Sequence, residues 1–178
     1  MKCLYLCDTI KMQSCKLVKL VSLSGRCCSI YSVTKLDSEQ DTLLDRFIDE
    51  NVNSFKSETK ELVSRLHTIG HKTGARLQFF KEHEGKPGDG VCALYDFEVR
   101  NLRLYCIRYG TQLVIVGGGG CKPKNIRALQ EDEKLKKENY FLRELSAKLT
   151  ERIKNKEIWF SDDDLDFIGN LTFNKDED

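Results

Sequence analysis

The residues of this chain best suited to chemistry lie between Leu102 and Lys124, LRLYCIRYGTQLVIVGGGGCKPK. Arg103, Tyr105, Arg108, Lys122 and Lys124 place cations and a phenol in or beside two short apolar runs, which are joined at Tyr109-Gly110. Fixed Arg and Lys groups suit a polyanion, because they neutralise phosphates and stabilise charge that builds up during phosphoryl chemistry. Tyrosine rings add platforms on which unpaired bases stack. The stretch therefore points to RNA. Strand side chains alternate, so Arg103 shares a face with Tyr105 and Ile107, and Arg108 with Leu104 and Cys106. The two arginines cannot face the same layer. Arginines that merely keep a strand face solvated would give the same pattern.

Other chemical motifs are weaker. The Gly117–Gly120 run invites a phosphate-loop reading but fails the pattern: Cys121 separates the last glycine from Lys122, and Pro123 stands where Ser or Thr is required. A hinge or a tight strand end is expected instead. His67 and His71 are four apart on a predicted helix, but no Glu follows His67 and no cysteine pair has zinc spacing, so no metal is expected. No cofactor is implied. Arg76, Lys81 and Lys86 add positive charge before the sheet, and Arg100 adds more just ahead of Leu102. Arg76, Lys86, Arg100, Arg108 and Tyr109 are the candidate RNA contacts.

Elements that position these groups can be read from periodicity and breakers. Lys16–Leu23 and Arg26–Val33 read as strands around a turn at Ser24-Gly25. Ser38-x-x-Asp41 resembles a capping box, and Leu44, Phe47, Ile48, Val52 and Phe55 recur at helical spacing. A second helix is predicted from Ser57 to Gly70 or Gly74, which completes a helical hairpin. Arg76–Phe80, Val91–Tyr95, Leu102–Arg108 and Gln112–Val116 read as strands, with a turn-rich loop from His83 to Gly90. One long helix is predicted from Ile126 to Lys156, with Leu142, Leu145, Leu149 and Ile153 as its stripe. Ile158–Phe160 and Asp166–Phe173 read as short terminal strands. The expected class is α+β: a helical hairpin and a long C-terminal helix packed on one face of a mostly antiparallel sheet.

The length of 178 residues fits one domain. Residues 1–11 read as an N-terminal extension, 12–159 as the domain and 160–178 as an acidic C-terminal segment. No run approaches the ~20 apolar residues that span a bilayer, and Asp8 interrupts the apolar opening, so neither membrane nor signal peptide is expected. The eight cysteines are scattered or adjacent, which predicts reduced thiols in a cytoplasmic protein. Charge is segregated. Residues 61–130 carry eleven basic and six acidic groups, whereas residues 160–178 carry one and seven. A basic centre attracts polyanions, and an acidic tail either competes with them or is simply solvated.

The run FFKEHEGKPGDGVCALYDFEVRNLRLYCIRYGTQLVIVGGGGCKPK, following a helical hairpin, resembles the core of the RelE/ParE toxin superfamily on its phage-derived HigB-like side. The features that carry the likeness are the hairpin, the strand Arg103-Leu104-Tyr105-Cys106-Ile107, and the next strand Gln112–Val116 with Lys122 and Lys124 beyond it. The resemblance spans about residues 40–150. It implies a RelE-like fold and the toxin of a type II toxin–antitoxin pair. It also implies mRNA cleavage without a metal, with or without the ribosome, and a small antitoxin encoded nearby. Carried over by position, Arg103, Tyr105, Lys122 and Lys124 would be the catalytic set. The resemblance equally admits a non-catalytic module on the same scaffold, such as a gyrase-type inhibitor or a degenerate partner-binding protein.

Overall fold

β-branched and aromatic residues concentrate in short runs that pair into one large sheet. The computed structural model describes residues 12–37, 41–82, 84–94, 101–122 and 132–175. Its strands are β1 (Cys15–Lys19), β2 (Ser29–Lys35), β3 (Phe80–Lys81), β4 (Val91–Leu94), β5 (Leu102–Tyr109), β6 (Leu113–Cys121), β7 (Ile158–Phe160), β8 (Phe167–Gly169) and β9 (Thr172–Phe173). Seven of them form one sheet in the order β3-β4-β5-β6-β2-β1-β9. Among the described strands only the β2–β6 pair is parallel. β7 and β8 form a separate antiparallel hairpin.

Among the described residues three α-helices accompany the sheet: α1 (Leu43–Asn51), α2 (Lys56–Thr68) and α3 (Glu133–Lys154). The capping box of α1 forms at Thr42 and Asp45; Ser38, the cap expected from the sequence, is not among the described residues. Asp45 N–H donates to Thr42 Oγ1 at 3.2 Å, while Thr42 N–H donates to the Asp45 carboxylate at 2.9 Å. The second helix starts one residue earlier than expected and closes through a π turn, Ile69–Thr73, that ends at Gly74 with φ of 70°. α3 starts where the Asp132 carboxylate accepts from Leu135 N–H at 2.8 Å. Residues 126–131, expected to be helical, are outside the described set.

The buried residues sort by strand face. Tyr105 and Ile107 of β5 join Leu135, Leu142, Leu145 and Leu149 of α3 in one cluster. Leu104 and Cys106 join Phe47 of α1 and Leu62 and Leu66 of α2 in the other. α1 serves both, through Leu43 on one side and Leu44 on the other. Helices therefore cover both faces, not one as expected. The reason is that β5 and β6 are apolar on both faces, and a sheet that is apolar on two sides needs two covers.

Strand β6 also corrects the reading of the glycine run. All four glycines are buried and belong to the strand, which continues to Cys121. They mark close approach rather than a hinge. A Cβ at Gly117 would lie 2.6 Å from Leu142 Cδ1 of α3, and one at Gly119 would overlap the Arg103 carbonyl oxygen of β5. The β5–β6 register shifts between Leu104 and Cys106, a local bulge that such small residues accommodate.

The acidic terminal segment takes part in the core. Phe167 and Phe173 are buried, Phe173 without exposure, and β9 pairs with the edge of β1. Cys15, Cys28, Cys92 and Cys106 are buried free thiols, and burial pushes Cys92 up to about 12. Among the described residues no helix is long and apolar enough to cross a membrane.

Candidate anion-binding site

Strand register builds a cluster of cations at one end of the sheet. Lys81 pairs with Ala93, and Ala93 with Tyr105, so all three occupy one row. Residues directly opposite share a face, which puts Lys81 on the α3 side with Tyr105 and Arg103. Arg103 pairs with Gly120, and Lys122 follows two residues later. Lys122 N–H donates to the Asn101 carbonyl at 2.5 Å, which fastens the chain beyond β6 to the start of β5.

Glu84 sits among these cations. Its Oε1 accepts from Arg103 Nη1 at 2.7 Å and lies 3.0 Å from Lys81 Nζ. The carboxylate side chain is only 8% exposed, against 17% for Arg103 and 45% for Lys81. Lys122 belongs to the same electrostatic group. Desolvation lowers its ammonium pKa first, the Arg103 and Lys81 charges lower it further, and Glu84 opposes them. Lys81 and Arg103 thus share one carboxylate, with the Lys122 ammonium within electrostatic reach of all three and the Glu58 and Asp132 carboxylates near the adjoining Cys121. Such a gathering of cations suits an anion.

The loop carrying Glu84 is held from behind by α3. Asn139 Nδ2 donates to the Glu84 carbonyl at 2.6 Å, and Ser146 Oγ donates to the Asp89 carbonyl at 2.6 Å. The Asp89 carboxylate closes the loop by accepting from Lys86 N–H at 2.6 Å and Val91 N–H at 2.9 Å. Beneath the cluster, Tyr105 is fully buried and its hydroxyl has no hydrogen-bond partner among the described residues. Asn139 Oδ1 is likewise buried without a partner. Burial raises the Tyr105 hydroxyl pKa, with Glu84 adding to the rise and Arg103 opposing it.

The sequence candidates separate. Arg103 and Lys122 come together. Tyr105 lies directly below them, inside the core, where it offers no ring face to a base. Arg108 is on the opposite face, as alternation requires, and its Nη1 donates to the Gly110 carbonyl at 2.6 Å and the Ala75 carbonyl at 3.3 Å. Tyr109 packs against Phe167 at 5.5 Å and Phe160 at 6.0 Å. Burial pushes its hydroxyl pKa up to about 12. Arg76 is exposed and donates from Nε to the Thr73 carbonyl at 3.2 Å. Lys86 is exposed on the Glu84 loop, beside the outer face of α3. Arg100 and Lys124 lie outside the described residues.

Two members were missed as site residues. In the sequence Lys81 is one of three charges before the sheet that suit either RNA phosphate or solvent, and Glu84 is part of a turn-rich loop. The periodicity of Leu102–Arg108 marked the Arg103 face but could not say which loop reaches it. His67 and His71 stack at 4.2 Å on α2 and the π turn, and His71 Nε2 lies 3.4 Å from the Ser22 carbonyl. Among the described residues no three His, Cys, Asp or Glu side chains converge to hold a metal ion. No protein-family model, no curated protein and no solved structure matches the chain.

Proposed function

We propose that the chain is an RNA-directed protein of the toxin type, which binds backbone phosphate through Lys81, Arg103 and Lys122 and cleaves the strand without a metal. One observation carries it: Lys81 and Arg103, from two different segments, share a single shielded carboxylate, and the Lys122 ammonium lies within electrostatic reach of them. The order of elements, a helical hairpin followed by an antiparallel meander, supports the resemblance to RelE/HigB-like toxins.

The proposed chemistry is transphosphorylation. A ribose 2′-oxygen attacks the adjacent phosphorus, the bond to the 5′-oxygen breaks, and a 2′,3′-cyclic phosphate and a 5′-hydroxyl form. Arg103 and Lys81 stabilise the charge on the phosphate. Phosphate on Arg103 releases Glu84, whose carboxylate then takes the 2′-hydroxyl proton. Lys122, whose lowered pKa makes it a better donor than an ordinary lysine, protonates the leaving 5′-oxygen. Purified protein incubated with mRNA in chelator, with and without ribosomes, should give fragments with cyclic phosphate ends. Intact mRNA in both conditions, together with normal growth on expression, would refute the cleavage step.

A second reading is favoured by the Arg103–Glu84 pair, by the burial of Tyr105 and by the packing of half-buried Tyr109 on Phe160 and Phe167. In it the same cluster binds a polyanionic or acidic partner and performs no chemistry. Saturable binding to RNA, gyrase or a protein partner without any cleavage would select it. A neighbouring gene for a small helix-turn-helix protein would favour the toxin pairing.

A further inference from the structure

The β7–β8 hairpin has two unlike faces. Ile158 is fully buried, and the rings of Phe160 and Phe167 meet at a tilt, 5.5 Å apart, against the core. Phe167 also meets Tyr31 edge-on at 5.3 Å and Tyr109 at 5.5 Å. The outer face carries Trp159 and Ile168, which are register partners. They are 52% and 39% exposed. Cross-strand partners stand about 5 Å apart at Cβ, so they form one apolar surface.

The hairpin is held rigidly. Asp166 Oδ1 accepts from Lys19 Nζ at 2.5 Å and from Tyr31 Oη at 2.8 Å. Within the turn, Ser161 N–H donates to the Asp166 carbonyl, and Asp166 N–H to Ser161 Oγ at 2.9 Å. Asp163 Oδ1 accepts from Ser161 Oγ at 2.6 Å and Leu165 N–H at 3.1 Å. These bonds present Asp162, Asp163 and Asp164 at an exposed tip. From Glu157 to Gly169 the sequence has five carboxylates and no lysine or arginine. Among the described residues, Asp166 alone of these is paired closely, while Glu157 lies 3.9 Å from Arg152.

A rigid, exposed Trp beside an aliphatic residue is the composition of an interface anchor. The surrounding carboxylates select the sign of what binds it. We infer that the outer face of β7–β8 docks a partner polypeptide whose apolar side chains are flanked by lysines and arginines. Pairing with the same hairpin of a second copy would set like charges against each other. RNA is excluded from this face for the same reason, so the docking surface is separate from the cation cluster and does not depend on the RNA proposal.

Trp159 is the only tryptophan of the chain, so its fluorescence reports this surface alone. The probe is a synthetic amphipathic helical peptide of leucine and lysine, with its leucine–glutamate counterpart as the control. The lysine peptide should shift Trp159 emission to the blue saturably, and the affinity should fall with salt. Ile168→Asp should weaken it about tenfold or more, the loss of one interface anchor. Replacing Asp162 and Asp164 by Asn, with Asp163 kept for its turn bonds, should weaken it while leaving the thermal unfolding midpoint unchanged. The inference is overturned if the lysine peptide gives no saturable shift, or if the glutamate peptide binds equally. Indifference to Ile168→Asp in a folded protein overturns it too. An equal shift with zwitterionic lipid vesicles would make the face a membrane contact instead, and concentration-dependent dimers seen by light scattering would make it a self-contact.

Discussion

Arg103 and Arg108 lie on the same strand, yet they do different work. Arg108 faces α2 and its guanidinium closes on the carbonyls of Ala75 and Gly110, tying the turn after β5 to the segment after the π turn. Arg103 faces α3 and meets a carboxylate that it shares with Lys81. A guanidinium bonded to main-chain carbonyls stiffens the fold and leaves no site behind. One balanced by a shared carboxylate leaves net positive charge that a ligand can use. Residue type did not separate these roles, and neither did strand position; what the opposing segment offers did.

The comparison breaks most severely at the glycine strand. Opposite the Arg103 end β6 has glycines, while opposite Arg108 it has Val114. Gly119→Ala would push a methyl into the Arg103 carbonyl and should cost about 3 kcal/mol or more, as overpacking against backbone does. Urea denaturation reads it. Arg108→Ala should cost about 1–2 kcal/mol through two lost charged hydrogen bonds, with RNA affinity unchanged. Arg103→Ala should act on binding instead: weaker RNA affinity and a salt dependence shallower by about 0.7, the value for one phosphate on a single strand, with Lys81 left as the partner of the Glu84 carboxylate.

Glu84→Gln sharpens the contrast further, because it removes the competing charge. Filter binding at low salt should show tighter RNA affinity, while cleavage falls. Tighter binding with unaltered cleavage would remove Glu84 from the proton transfer. The smallest effect expected is in pH. Because the Lys122 pKa is lowered, its ammonium is fully present only below that pKa and is lost at lower pH than an ordinary lysine. RNA affinity should therefore start to fall earlier as pH rises through the alkaline range. Lys122→Arg, which stays charged, should flatten that fall.

Much of the architecture was legible in the sequence. The 3.6-residue spacing of Leu44, Phe47 and Ile48 marked the first helix, and period two placed Arg103 and Arg108 on opposite faces. The glycine run was only partly legible, because its cause is remote: α3 and β5 come within contact distance of a strand whose local sequence reads as a hinge or a tight strand end. The burial of Tyr105 was hidden for the same reason, since a tyrosine on a half-apolar strand reads as a surface platform until a helix covers it. Glu84 left only a faint mark. It lies in a loop whose glycines and proline announce a turn but not the direction in which its carboxylate points.

The central claim is tested most directly by RNA binding to a double substitution. Lys81→Ala combined with Lys122→Ala should lower affinity for single-stranded RNA by at least about tenfold at low salt, in keeping with the loss of two phosphate contacts. Arg108→Ala should match the parent protein. If the double variant, with its thermal unfolding unchanged, binds RNA as tightly as the parent, the cation cluster is not the RNA site.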